Sequence, residues 1–161
     1  MWHNLIETLD QLGEVYDNLA TLGEKKRTAL VAIDMKNLSN ILDAEQLLAA
    51  KIQKLEQRRV EILKDLSKAD KMLDAATSAK DFYRKAPSLA VEKKLLQLHE
   101  RLSKSVDKSL TLRNNNQVLA QCALDAVQGQ LNRLSNATIE PTYSGKGAGI
   151  VTHQKNFDFK A

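Results

Sequence analysis

Leu5, Leu9, Leu12, Tyr16 and Leu19 follow one another at steps of four, three, four and three, and Leu30 and Ile33 return to the same phase. Apolar residues so spaced line one face of a helix, so the opening predicts an amphipathic α-helix over about 2–33. Gly23 and Lys26 interrupt the stripe, with Leu22 and Ala29 on its shoulder. Asp34 separates this run from the next, where its carboxylate can cap a new helix. The second run is the most regular. Leu38, Ile41, Glu45, Leu48, Ile52, Leu55, Arg59, Ile62, Leu66, Ala69 and Leu73 alternate steps of three and four without a slip. Such a spacing holds one seam against a partner helix, the coiled-coil condition, and predicts a helix over about 35–73. Its length is roughly 50 Å. Glu45 and Arg59 are polar intrusions, expected at a wet edge of the seam or paired with charges on a neighbouring helix.

Between Asp74 and Pro87 the pattern dissolves into Ala, Thr, Ser and Lys, with Phe82-Tyr83 as its large apolar pair. A connection with a short helical turn fits, its aromatics closing the end of a bundle. Pro87 disfavours helix at Ala86 and suits the first turn of a third helix over about 88–136. That helix carries Val91, Leu95, Leu98, Leu102, Val106 and Leu110, then Leu112, Asn116, Leu119, Ala123, Val127, Leu131 and Leu134. Arg113-Asn114-Asn115-Asn116-Gln117 lies between the two halves, a polar belt that is either a register-fixing layer or a solvated stretch. Three long segments with short joints predict an all-α fold, an elongated antiparallel up-down-up bundle of coiled-coil character. The third helix is long enough to overhang the hairpin of the first two. Residues 119–134 are then either ordinary core or an uncovered apolar stripe, which marks a docking surface or self-association.

Helix breakers divide the chain in the same way. Residues 1–140 contain one proline and three glycines, whereas Pro141 and Gly145, Gly147 and Gly149 crowd the last 21 positions. A helical bundle over 1–137 followed by a flexible tail over 138–161 is expected. Ile150-Val151 and Phe157-Asp158-Phe159 are apolar spots on that tail.

Composition narrows the function. Of 161 residues 43% are hydrophobic but only 4% aromatic, so aliphatic helix seams do the packing. The net charge of +4 comes from 24 basic and 20 acidic residues that interleave. No contiguous basic stripe with stacking aromatics is evident, which argues against nucleic-acid binding. Neither a secretory leader nor a membrane-spanning run is expected, and the single cysteine suits a reducing, cytoplasmic setting. Cys122, among Ala and Leu, reads as a buried, inert thiol. His3, His99 and His153 lack metal-ligand spacing, there is no Glu-x-x-His pair, and Gly145-Lys146-Gly147 lacks the context of a phosphate loop. His99-Glu100-Arg101-Leu102-Ser103 departs from the order of a phosphotransfer histidine motif. No catalytic residue, metal or cofactor is expected.

The architecture and three stretches carry a resemblance. These are Leu47-Leu48 through Leu55-Glu56-Gln57-Arg58-Arg59, the Asn114-Asn115-Asn116 run, and Glu140-Pro141-Thr142-Tyr143-Ser144-Gly145-Lys146-Gly147. Over nearly its whole length the chain resembles the FlgN-type flagellar export chaperones. The resemblance implies a cytoplasmic, non-enzymatic protein that binds the unassembled hook–filament junction proteins FlgK and FlgL. It would prevent their early association and deliver them to the export gate protein FlhA. It implies a gate contact at Tyr143, although Ser144 here precedes Gly145 where relatives can place glycine directly after the tyrosine. The expected client surface is Leu119, Ala123, Val127, Leu131 and Leu134, with Asn115 and Asn116 at its boundary. The alternative is a structural coiled-coil subunit whose free chains self-associate through the same stripe.

Overall fold

A computed structural model of the chain describes residues 1–70 and 78–137. Among these are four α-helices and no strand: α1 (Trp2–Ala32), α2 (Met35–Ala69), α3 (Ala79–Tyr83) and α4 (Leu89–Ala137). By packing, the chain divides into two units, Met1–Ala126 and Val127–Ala161.

In the first unit α1 and α2 form a hairpin with almost no loop. The Ile33 N–H donates to the Leu30 carbonyl at 3.2 Å and the Asp34 N–H to the Ala29 carbonyl at 2.9 Å, closing α1 with a Schellman motif. Asp34 then caps α2, its carboxylate accepting from the Asn37 N–H at 3.1 Å. One residue thus ends one helix and starts the next. The turn needs a left-handed backbone at Ile33 (φ 53°, ψ 39°). Glycine usually fills this position, and a β-branched residue there costs about 1–2 kcal/mol.

Ion pairs fix the direction of the hairpin. Lys26 meets Glu45 at 2.7 Å and Glu7 meets Arg58 at 3.6 Å, so α1 and α2 run antiparallel. Glu45 is therefore a seam residue paired across helices, whereas Arg59 pairs along its own helix with Glu56 at 2.8 Å. Helix α2 stops at Ala69, earlier than the predicted 73, and Asp70 is extended (φ −129°). Leu66 is its last buried position. Leu73 falls outside the described residues.

Helix α4 runs beside α1 in the same direction, since the partners climb together along both helices. Arg101 bonds Asp10 at 3.0 Å and Asp17 at 2.8 Å, the Ser109 hydroxyl donates to the Tyr16 carbonyl at 3.1 Å, and Asn116 Nδ2 donates to the Gly23 carbonyl at 2.8 Å. Gly23 permits this approach: a Cβ there would lie 3.3 Å from Leu112 Cβ. The main core joins Leu5 and Leu9 of α1, Ile62 and Leu66 of α2, Phe82 and Tyr83 of α3, and Leu95 and Leu98 of α4. A second cluster of Leu12, Val15 and Leu55 continues it. The aromatic pair of the connection is thus built into the core, with the Phe82 ring 5.7 Å from that of Trp2. Ser78 caps α3 through the Asp81 N–H, and the Ser88 hydroxyl accepts from the Val91 N–H at 3.3 Å at the start of α4. Pro87 therefore precedes the capping serine and is not in the helix's first turn.

Asp17 is the polar hub between α1 and α4. Hydrogen bonds from Ser105 and Arg101, aided by the charges of Arg101 and Lys108, hold its carboxyl below the usual range. The stability it adds is complete above the ordinary aspartate value of about 4 and is lost as pH falls through the lower folded value. Asp17 and Arg101 are both nearly half exposed, so solvent screens the pair and the contribution is about 1 kcal/mol. We expect Asp17→Asn to lower the melting temperature at pH 7 by a few degrees. That gap should close in acid; an equal gap at pH 2 would assign the effect to packing.

Candidate docking surface

The seam by which α4 meets the rest of the first unit alternates steps of three and four from Leu95 through Leu98, Leu102, Ser105, Ser109 and Leu112 to Asn116. Leu95 is fully buried, and Ser105, Ser109 and Asn116 are buried polar members of the same seam. Each has a local reason to be there. Ser105 bonds Asp17, Ser109 bonds the Tyr16 carbonyl, and Asn116 bonds the Gly23 carbonyl. The polar belt is thus a register-fixing layer at Asn116, while Asn115 beside it is exposed. Asn116, expected at the boundary of a client surface, is instead 3% exposed and committed to the fold.

Among the described residues of α4, none beyond Asn116 is buried. In the first unit, Leu119 and Ala123 prolong the α1-facing period and are half-buried. The apolar pattern then slips by one residue. Leu124, Val127, Leu131 and Leu134 are spaced three, four and three along the sequence. Leu124 is 61% exposed; in the second unit Val127, Leu131 and Leu134 are 40%, 54% and 66% exposed. Leu124 is thus a member of the stripe that the Ala123 reading passes over. The three-four alternation beginning at Leu124 is the signal that identifies it.

Without a buried face, this part of α4 draws support from its own surface. Gln121 bonds Asp125 at 2.9 Å and Gln128 bonds Asn132 at 3.1 Å, both one turn apart. Pairs of this kind stabilise a helix by about 0.2–0.5 kcal/mol each. Cys122 lies on the same stretch and is exposed. The expectation of a buried thiol is therefore corrected.

His99 sits 5.7 Å from the Tyr83 ring, edge to face. Burial, then the charges of Lys80 and Arg59, push its imidazole below the ordinary histidine value, favouring the neutral form. Among the described residues no cluster of three or more His, Cys, Asp or Glu could hold a metal ion, and no helix is long and apolar enough to cross a membrane. Tyr143 and the rest of 138–161 lie outside the described residues.

A family model described as FlgN protein matches residues 1–149 of the chain. No curated protein and no solved structure matches it.

Proposed function

Because this chain belongs to the FlgN family of flagellar export chaperones, we propose that its clients are the unassembled hook–filament junction proteins FlgK and FlgL. It holds them in the cytoplasm and hands them to the export gate protein FlhA. The chaperone role itself follows from the family; the choice of client and the delivery step are our reading. The observation that carries it is the exposed run Val127, Leu131 and Leu134, preceded by Leu124. A junction protein with an amphipathic terminal helix must keep that helix's apolar face from associating early. Laying that face along the exposed leucines buries both, the helix-in-groove mode of recognition. Each fully buried large side chain contributes about 1.5–3 kcal/mol before the cost of association is subtracted.

Leu119, Ala123 and Asn115 belong to the first unit and are proposed as client contacts there. Asn116 is not among them, because its side chain is turned to Gly23. The gate contact is assigned to Tyr143, which falls within the matched residues. A one-to-one complex with a junction protein is expected in light scattering and calorimetry. A stable oligomer of the chain that ignores the client would favour the self-associating subunit instead. We expect Tyr143→Ala to leave client affinity unchanged and to weaken binding of the cytosolic part of FlhA at least tenfold. Equal gate affinity in the two proteins would remove the tyrosine from the mechanism.

A further inference from the structure

Between the middle turns of α1, α2 and α4, all within the first unit, lies an open cleft of about 390 Å³. Leu19 of α1, Ile52 of α2 and Leu110 of α4 supply its apolar lining, and Leu110 is still 48% exposed there. Two polar features of the cleft are incomplete. Asn116 is 3% exposed and spends its Nδ2 on the Gly23 carbonyl, yet its Oδ1 has no hydrogen-bond partner. A buried amide oxygen with no protein donor is rare in folded proteins, and this one is sealed beneath the cleft wall. Arg113 also lines the cleft, and among the described residues it has no acidic partner. The other cation of the lining, Lys26, is neutralised by Glu45 at 2.7 Å. Arg113 therefore leaves the cleft with one uncompensated positive charge.

The walls repeat at helical spacing. Glu45, Ala49 and Ile52 line the cleft from α2, and Val106, Leu110 and Arg113 from α4, each set at steps of four and three. Two such rails form the holes into which the side chains of a third helix insert.

We propose that this cleft is a second seat for the client, occupied by an amphipathic helix whose apolar anchors fill the lining and which carries a carboxylate opposite Arg113. The guanidinium fork matches a carboxylate in two parallel hydrogen bonds. The proposal rests on the chaperone reading above and adds to it the charge pattern of the helix recognised.

The test uses the full chain, isotopically labelled, and two synthetic amphipathic peptides with one apolar stripe, flanked by glutamates in one and by lysines in the other. The acidic peptide should bind at least tenfold more tightly and shift the side-chain amide signals of Asn116 and the Nε–H signal of Arg113. Ala49→Trp, an exposed position at the mouth, should weaken it at least tenfold, and Arg113→Glu should reverse the preference. Equal affinity for both peptides, no binding, or shifts confined to residues 124–134 would overturn the proposal. So would a self-associated chain that fills the cleft. Capture of FlgK or FlgL is measured in parallel. Junction proteins held equally by wild type, Ala49→Trp and Arg113→Glu would remove the cleft and leave the chaperone reading intact. Failure of wild type to hold them, with the peptide preference present, would remove that choice of client alone.

Discussion

Val127→Asp combined with Leu131→Asp is expected to abolish capture of a junction protein while leaving the free chain as helical as before. The two side chains are 40% and 54% exposed, so among the described residues neither sits in a core. In the proposed complex both are covered. Removing two apolar contacts and trapping two carboxylates against an apolar face costs about 4 kcal/mol or more, roughly a thousandfold in Kd. Calorimetry with the full client measures the first effect and circular dichroism the second. Client affinity within threefold of wild type would show that the exposed leucines are not the docking surface. A fall in helix content would instead place these residues in a core.

The largest effect on the fold itself is expected at Leu95. Its side chain is fully buried in the cluster that ties all four helices together. Leu95→Ala leaves a cavity between α1, α2, α3 and α4, and such truncations cost about 2–5 kcal/mol. Chemical denaturation should show a loss near 3 kcal/mol and thermal melting a drop of roughly 10 °C. Leu47→Ala provides the contrast, because Leu47 is 75% exposed and its truncation should cost less than about 0.5 kcal/mol. Equal losses at the two positions would mean that the Leu5–Tyr83–Leu95 cluster is not where the stability resides.

The long helices are legible in the sequence because their signal is local and repeated. Three-four alternation over α1 and α2 reports burial directly, and the carboxylate of Asp34 stands where a cap is needed. What depends on a distant partner is hidden. Gly23 reads as a break in the α1 stripe until Leu112 is seen beside it. Ile33 gives no hint of a left-handed backbone, since the glycine rule points elsewhere. Asn115 and Asn116 are identical neighbours, yet only Asn116 lies on the seam that begins at Leu95. That seam is hard to count because Ser105 and Ser109 interrupt its apolar members. The same difficulty hides the slip to Leu124, where alanine and leucine lie side by side and either continues a plausible helix face. Cys122 shows the opposite error, since apolar neighbours imply burial only when another element covers them.

The two sets of α1 partners differ greatly in how far apart they lie along the chain. Lys26 and Glu45 are 19 positions apart, whereas Ser109 reaches back 93 to Tyr16 and Asn116 reaches back 93 to Gly23. Closing the longer loop costs roughly 1.4 kcal/mol more chain entropy than closing the shorter one. The α1–α2 hairpin should therefore assemble first, with α4 arriving on a template already in place. During synthesis the template can form before the ribosome has made the helix that completes it. Pulsed hydrogen exchange would reveal the order, with amides of α1 and α2 shielded ahead of those in the first half of α4; simultaneous shielding would mean that all three helices condense in one step.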